Sequence, residues 1–507
     1  MRVIFVLYDS LVRGAMQNYG GTHIDTPNFL RFAERAVTFD SHFVGSLPCM
    51  PARREMHTGR YNFLHRSWGA LEPFDQSFSE LLRASGVYTH LISDHYHYWE
   101  DGGATYHGRY ASHEFIRGQE SDAWKAMVEP PWERLKAQYH AVQNDSDPAG
   151  KFYHYMINRE FMSKAEEDFT AVQCFSHGLD FLDTNRSADD WFLQIETFDP
   201  HEPFFAPERY REDYPTNYAG PILDWPPYER VNEAPDECAE LRANYCAIVA
   251  LCDAQMGRLL DYFDAHDLWR DTALVVSTDH GFLLGEHDWW AKLRMPCYEE
   301  VAHIPLMIHH PAHREMAGTR RRALTQTMDL MPTFLDLHGL APPPEVQGHS
   351  LLPLLGEDID LREAAIFGVF GSATNITDGR YTYFRYPRDM DEQDIYQYTL
   401  MTTQLKSRFP LAPLREATLA PPFGFSKGVP LLRIPTQPKR HPAAGQFLAP
   451  GFMQDADTVL YDLESDPMQN TPIQAPAVEA RLEQLMAQLM RETEAPSEAF
   501  SRLALSG

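Results

Sequence analysis

Short apolar runs alternate with helical patterns through the first two-thirds of the chain. The runs are residues 3–7, 89–92, 191–197, 273–277 and 306–309. Amphipathic patterns at residues 26–34 and 77–85 indicate helices between them. Because strands joined by helical crossovers give such an alternation, it predicts an α/β fold with a large, mostly parallel sheet sandwiched by helices.

An aspartate stands at or just beyond the end of four of these runs. These residues are Asp9, Asp94, Asp199 and Asp279. Ligands of parallel sheets gather at the carboxyl ends of the strands. The pattern therefore predicts that the functional site lies along this edge of the sheet.

The character of the chain changes after Pro342-Pro343-Pro344. Short strand-like segments follow at residues 365–370, 376–377, 381–385 and 458–462, and apolar residues have helical spacing over 477–491. We predict a larger α/β domain that carries the functional site at residues 1–345 and a smaller C-terminal α+β subdomain at 346–507. The subdomain would hold a small antiparallel sheet, a long loop at 388–454 and a terminal helix.

Residues 102–168 fit the alternation poorly. They are rich in aromatic and charged residues and are interrupted by Pro130-Pro131. We predict an insertion that forms a wall or lid over the site. A peripheral helical decoration is the alternative.

Composition excludes several classes of partner. The formal net charge of −28 argues against nucleic acid, and no stretch is apolar enough to cross a membrane. The first nine residues reach an acid too early for a signal peptide, so we expect a cytoplasmic protein. The six cysteines lack metal-ligand spacing and are too sparse for a disulfide scaffold. The long C-terminal excursions favour a homo-oligomer.

One cysteine lies in the run Cys49-Met50-Pro51-Ala52-Arg53, and Gly59-Arg60 begins six residues after the arginine. This run resembles the recognition signature of the type I, formylglycine-dependent sulfatases of the alkaline-phosphatase superfamily and of the related phosphonate monoester hydrolases. The resemblance implies that a formylglycine-generating enzyme oxidises Cys49 to an aldehyde, which hydrates to a geminal diol.

The diol explains why such chemistry starts from a cysteine. In these families one hydroxyl, held on a divalent metal ion, attacks sulfur or phosphorus, and the second lets the covalent ester collapse. Residues 52–57 have the pattern of a helix start, so the nucleophile would face the positive end of a helix dipole. Arg53, one helical turn after Cys49, would hold the diol and screen its charge.

Asp279-His280-Gly281 is the second motif, and a carboxylate beside an imidazole suits a divalent ion with oxygen and nitrogen ligands. Asp9 would supply a third protein ligand, and formylglycine at Cys49 a fourth. Many sulfatases carry Asp-Asp and Asp-Asn where this chain has Asp9-Ser10 and Asp279-His280. The pairs are more similar to phosphonate monoester hydrolases and some bacterial arylsulfatases. An imidazole ligand shifts preference from calcium toward manganese, and both ions stay open.

The resemblance continues in the same order through His201-Glu202-Pro203-Phe204 and Gly285-Glu286-His287 to Lys292. Lys292 would bind the oxygens of the sulfate or phosphonate group. His201 would be the general acid for the leaving oxygen, because an imidazole titrates near working pH. The lysine that many sulfatases have after the strand at 89–92 is absent. His95 and His97 stand there instead, and we predict that His97 enters the site, with the register between the two left open.

These motifs predict hydrolysis of small-molecule sulfate monoesters by an arylsulfatase-like enzyme. A phosphonate monoester hydrolase or phosphodiesterase with the same site is the alternative. A third hypothesis, outside the enzymes, is a non-catalytic binding protein with unmodified Cys49.

Overall fold

The structure, a computed structural model, describes residues 1–148, 150–162, 165–390, 393–436 and 455–506. Its strands are β1 Arg2–Tyr8, β2 Val37–Phe39, β3 His42–Phe43, β4 Ser46–Leu47, β5 Tyr88–Ser93, β6 Ser112–Phe115, β7 Trp191–Thr197, β8 Thr272–Thr278, β9 Leu283–Leu284, β10 Trp290–Ala291, β11 Leu306–His309, β12 Arg320–Arg321, β13 Thr325–Gln326, β14 Ala365–Val369, β15 Thr374–Thr377, β16 Tyr381–Arg385, β17 Ile395–Thr399, β18 Thr418–Ala420, β19 Leu431–Thr436 and β20 Val459–Asp462.

Its α-helices are α1 Pro27–Ala33, α2 Cys49–Thr58, α3 Phe78–Ala84, α4 Ala104–His107, α5 Trp132–Gln138, α6 Phe152–Phe161, α7 Thr170–Thr184, α8 Glu208–Arg211, α9 Pro235–His266, α10 Glu299–Ala302, α11 Leu330–Asp336, α12 Leu352–Gly356, α13 Leu411–Arg415, α14 Pro476–Glu492 and α15 Ser497–Arg502. Within the described part of the chain, no helix has the length and apolarity that a membrane span requires.

The largest sheet has eight strands in the order β12-β2-β11-β8-β1-β7-β5-β6. Its central strands β8, β1, β7 and β5 pair in parallel, whereas β11 runs antiparallel to β8 and β2. All five apolar runs recognised in the sequence are strands of this sheet. The predicted mostly parallel sheet is confirmed.

Alternate side chains of β1 pack on opposite faces of the sheet. Ile4 and Val6 belong to a core that the long helix α9 covers, and Val3 and Phe5 belong to a second core. In the second core the ring of Phe5 lies 4.9 Å from that of Phe334 in α11. Because helices cover both faces, every residue of the neighbouring strands β7 and β8 is buried.

A second sheet has the order β20-β16-β15-β14-β4. Its C-terminal strands are antiparallel, as predicted, and α14 packs Leu482 and Met486 into the core beside them. Its last strand was not predicted, because β4 comes from the N-terminal part and pairs in parallel with β14. This strand ends two residues before Cys49, so the second sheet also supports the helix that carries the cysteine.

We predicted a long, loop-rich segment over 388–454, and its described part contains regular strands, which corrects the prediction there. Strands β17, β19 and β18 form a three-stranded antiparallel sheet there. Their short length and the surrounding prolines hid them in the sequence. Residues 391–392 and 437–454 of that prediction lie outside the described residues.

The predicted insertion at 102–168 also contributes to the main sheet. Strand β6 pairs in parallel with β5 and forms the edge of the sheet. Two of its side chains, His113 and Glu114, are exposed, so the strand has no apolar run that would reveal it. The role of the remaining residues as a wall or lid stays a prediction.

Candidate active site

The carboxyl ends of two paired strands bring Asp9 and Asp279 together. Tyr8 of β1 is in register with Thr278 of β8, and each aspartate is the next residue. Helix α2 begins at Cys49 and points its first turn at the same edge. Cys49 Sγ lies 3.2 Å from His280 Nε2. One ligand atom from each of Asp9, Cys49, Asp279 and His280 lies within 4.8 Å of those of the other three.

The donor set fits a divalent metal ion. It combines two carboxylates, an imidazole and the side chain at position 49, all buried. His280 Nδ1 lies 2.9 Å from the carbonyl oxygen of Gly281, which only accepts, so Nδ1 carries the proton and Nε2 is the free ligand atom. Burial lowers the pKa of His280 to about 3, which keeps the imidazole neutral, as a ligand must be.

The two carboxylates differ in their affinity for a proton. Burial alone would raise the pKa of Asp9, but the fixed positive charges of Arg53 and Lys292 hold it well below the ordinary value. Burial and the charge of Asp9 raise the pKa of Asp279 to about 8. A cation placed between the two carboxylates would favour the deprotonated form of both.

Arg53 binds both metal-site carboxylates. Its Nη2 lies 3.0 Å from Asp9 Oδ2, and its Nη1 lies 2.5 Å from Asp279 Oδ2. Nη1 also donates to the carbonyl oxygen of Cys49 at 3.1 Å. The guanidinium is buried and thus holds the first turn of α2 against both strand ends.

Lys292 enters the cluster from the other side. Its Nζ donates to Ser10 Oγ at 2.6 Å and lies 3.7 Å from Asp9 Oδ1 and 3.8 Å from Glu202 Oε2. Burial would lower the pKa of Lys292, but Glu202, Cys49 and Asp9 raise it above the ordinary value. Lys292 is thus a buried, permanently charged cation beside the cluster.

His201 follows β7 and is buried. Its Nδ1 donates to the carbonyl oxygen of Glu202 at 2.5 Å, so the neutral ring presents Nε2 without a proton. Burial and Lys292 hold its pKa well below the ordinary value, although Asp9 opposes them. The expectation that this imidazole titrates near working pH does not describe the ligand-free site.

The residues after β5 form a 3₁₀ helix over Tyr96–Trp99 instead of continuing the strand, so side-chain alternation does not fix the register of His95 and His97. His97 Nδ1 hydrogen-bonds Glu100 Oε2 at 2.7 Å. His95 is buried, and neither of its ring nitrogens has a hydrogen-bond partner among the described residues. Burial and Arg53 hold the pKa of His95 well below its ordinary value. His95 therefore lies within electrostatic reach of the cluster, whereas the entry of His97 stays a prediction.

The remaining strand-end aspartates form a separate pair. Asp94 Oδ1 accepts from the backbone N–H of Phe198 at 2.6 Å, and Asp199 Oδ1 accepts from Gln119 Nε2 at 2.7 Å. Burial raises the pKa of Asp94 to about 7 and that of Asp199 well above its ordinary value. Asp94 thus joins the loops after β5 and β7, and Asp199 joins the loop after β7 to Gln119 beyond β6. Neither is among the four clustered ligands.

Sequence reasoning missed Glu196. This residue is buried in β7, and its Oε1 lies 2.7 Å from Arg53 Nε. The signal was available, because a charged residue inside a run that both sheet faces bury needs a partner.

Comparisons with known proteins agree with this geometry. Residues 2–340 match the family described as Sulfatase, and residues 285–407 match the C-terminal region described for N-sulphoglucosamine sulphohydrolase. An N-acetylglucosamine-6-O-sulfatase of Bacteroides thetaiotaomicron is 26% identical over 421 residues, which cover 72% of this chain and 73% of the relative. The multifunctional alkaline phosphatase superfamily protein PehA of Trinickia caryophylli is 26% identical over 376 residues, covering 66% of this chain and 72% of that protein.

A solved structure has the same fold over almost the whole chain. The phosphonate monoester hydrolase of Agrobacterium radiobacter superposes with a TM-score of 0.64 at 18% identity. The match covers 97% of this chain and 95% of that one.

Proposed function

The chain belongs to the sulfatase family, and from that premise we propose that it hydrolyses sulfate monoesters of small molecules through a formylglycine formed at Cys49. The observation that carries the proposal is the buried cluster of Asp9, Cys49, Asp279 and His280. A thiol that only filled a core would not need two carboxylates, an imidazole and a guanidinium around it.

The reactive group at position 49 would be the hydrated aldehyde, which supplies one hydroxyl to attack sulfur and a second whose deprotonation expels sulfate. Asp9, Asp279 and His280 would hold a divalent ion, which supplies Lewis acidity to the nucleophile and to the ester oxygens. Since one ligand is an imidazole, manganese fits this donor set better than calcium.

The protein's own cations would carry the remaining charge. Arg53 donates to the backbone carbonyl of Cys49 and so fixes the nucleophile relative to Asp9 and Asp279. Lys292, buried and charged, would bind the oxygens of the sulfate group where negative charge grows.

His201 would protonate the leaving oxygen. Its pKa is low in the ligand-free site because the ring is buried beside Lys292. A bound sulfate ester brings a negative charge next to both groups, offsets Lys292 and raises the proton affinity of His201. His95, buried and without a hydrogen-bond partner among the described residues, is a candidate for contact with the ester oxygens, with His97 as the alternative.

The second candidate function is hydrolysis of phosphonate monoesters or phosphodiesters at the same site. The fold shared with a phosphonate monoester hydrolase and the 26% identity to a protein named as multifunctional are compatible with it. A sulfate monoester and a phosphonate monoester both present one negative charge to Lys292, so the charges of the site suit both.

Steady-state rates of protein with converted Cys49 on para-nitrophenyl sulfate and on a para-nitrophenyl phosphonate monoester test the proposal. The leaving group is the same, so the ratio of kcat/KM reports the preference for sulfur over phosphorus. We expect the sulfate to be the better substrate, and a faster phosphonate would favour the second candidate. Cys49→Ala should abolish both activities, whereas full turnover by this variant would exclude the covalent mechanism.

A non-catalytic binding protein with unmodified Cys49 is the remaining alternative, and inactivity on both esters after conversion would favour it. Maturation by a formylglycine-generating enzyme, a homo-oligomeric state and a cytoplasmic location stay predictions from the sequence.

A further inference from the structure

A third buried carboxylate lies behind Arg53, away from the clustered ligands. Glu196 Oε1 accepts from Arg53 Nε at 2.7 Å, and both side chains are buried. Glu196 is the penultimate residue of β7, and its Cα is in register with Leu7 of β1. It is not one of the four clustered ligands, and the chemistry proposed above gives it no task.

Three donors fix the position of this carboxylate. Besides Arg53, the hydroxyl of Tyr98 donates to Glu196 Oε2 at 3.0 Å, and Gln194 Nε2 donates to the same oxygen at 2.9 Å. Gln194 is itself held, because Tyr110 donates its hydroxyl to Gln194 Oε1 at 2.6 Å. Glu196 is therefore the inner end of a buried hydrogen-bonded chain.

The planar guanidinium transmits this position to the metal-site carboxylates. With Nε fixed by Glu196, Nη1 donates to Asp279 Oδ2 and Nη2 lies 3.0 Å from Asp9 Oδ2. A rotation about the Cδ–Nε bond would move both Nη contacts at once.

Charge balance gives Glu196 a second effect on the same groups. Arg53 is a buried cation that faces Asp9, Asp279 and Glu196. Without the charge of Glu196, only the two metal-site carboxylates would neutralise the guanidinium, which would then compete more strongly with a divalent ion for them. Glu196 thus gives Arg53 a negatively charged partner that is not itself a ligand of the metal.

We propose that Glu196 is a positioning residue that, through Arg53, sets the divalent-metal affinity of the Asp9–Asp279–His280 cluster and the rate of the chemical step. The effect on the rate rests on the proposed function, whereas the effect on metal affinity does not.

The test uses Glu196→Gln, which removes the charge and keeps the shape. Calorimetric titration of chelator-stripped full-length protein with Mn²⁺ alone should give an affinity about fivefold or more below that of the wild type. Direct outer partners of metal ligands change the affinity by about 10- to 100-fold, and Glu196 acts one partner further out, through Arg53. With converted Cys49 and saturating Mn²⁺, kcat on para-nitrophenyl sulfate should fall about tenfold while KM changes less than about threefold. A smaller change in Mn²⁺ affinity would overturn the proposal.

A matched pair of tyrosine variants decides the matter if Glu196→Gln does not fold. Tyr98 and Tyr106 are both buried, and their rings lie 5.8 Å apart. The Tyr106 hydroxyl donates to the carbonyl oxygen of Gly69, whereas that of Tyr98 donates to Glu196. Tyr98→Phe should weaken Mn²⁺ binding about threefold or more relative to Tyr106→Phe, and equal affinities would overturn the proposal.

Negative results in the metal titration and in the rate measurement lead to different conclusions. If the wild type turns over no sulfate ester, the proposed function fails, but the Mn²⁺ titrations still decide the role of Glu196. If the wild type is active and Glu196→Gln binds Mn²⁺ like the wild type, the inference about Glu196 alone is wrong.

Discussion

Replacing Lys292 with methionine removes a buried positive charge and keeps most of the side-chain volume. Lys292 Nζ lies 3.7 Å from Asp9 Oδ1 and 3.8 Å from Glu202 Oε2, and its side chain is 1% exposed. A sulfate oxygen that replaces one of these contacts would lie about 4 Å or less from the ammonium charge. With an effective dielectric constant of about 20, a unit charge at about 4 Å contributes roughly 4 kcal/mol.

If the transition state carries this charge and the free enzyme does not, kcat/KM for para-nitrophenyl sulfate should fall about 10³-fold. The assay uses protein whose Cys49 conversion and Mn²⁺ content equal those of the wild type. Lys427→Met is the matched control, because Lys427 is 40% exposed and pairs with Glu345 outside the cluster. A loss of less than about tenfold for Lys292→Met, or an equal loss in the control, would refute the role of Lys292 in charge stabilisation.

Three further predictions concern other groups. His201→Asn should lower kcat/KM about 10²-fold on an alkyl sulfate but less than about tenfold on para-nitrophenyl sulfate, since only the poor leaving group needs a proton; equal losses would remove His201 from the acid role. Burial raises the pKa of Glu55 from 4.5 to about 7 in the folded protein. Protonation of this carboxyl therefore contributes fully to the free energy of unfolding below pH 4.5, and the contribution is lost as the pH rises through 7. Denaturant titrations should therefore show the wild type losing about 3 kcal/mol more than Glu55→Gln between about pH 4.5 and pH 8, and parallel pH profiles would contradict this. Chelation should lower the thermal unfolding midpoint of the wild type and added Mn²⁺ should restore it, whereas Asp279→Asn should respond to neither treatment; an equal response of that variant would argue against Asp279 as a ligand.

The strands of the main sheet could be predicted from the sequence because burial on both faces requires continuous apolar runs. The run at 191–197 has the same bounds as β7, and β8 extends its predicted run by one residue at each end. Edge strand β6 escaped because half of its side chains face water.

Local sequence patterns did not predict the backbone conformation where contacts with residues distant in sequence determine it. Helix α2 begins at Cys49, three residues earlier than expected, because Pro51 is tolerated within the first turn, whose N–H groups need no partner inside the helix. It ends at Thr58, and the following Gly59 has a φ of 65°, which favours glycine. The segment after β5 forms a 3₁₀ helix, and His95 just before it packs against Phe198. The alternation of side chains along a strand cannot predict this contact.

The four clustered ligands follow from motifs of known spacing, but their charge states do not. The raised pKa of Asp279 depends on burial and on Asp9, and the lowered pKa of His201 depends on burial and on Lys292, both distant in sequence. The role of Glu196 was equally hidden from motif analysis, since its partner Arg53 is 143 residues away in sequence.

The mass of the tryptic peptide that contains Cys49 tests the central claim most directly. The protein is produced together with a formylglycine-generating enzyme, and the peptide is compared with that from protein produced without it. We predict a peptide roughly 18 Da lighter than the cysteine form, as conversion to formylglycine requires. A peptide that stays entirely in the thiol form, although the enzyme converts a control substrate in the same cells, would contradict the formylglycine mechanism.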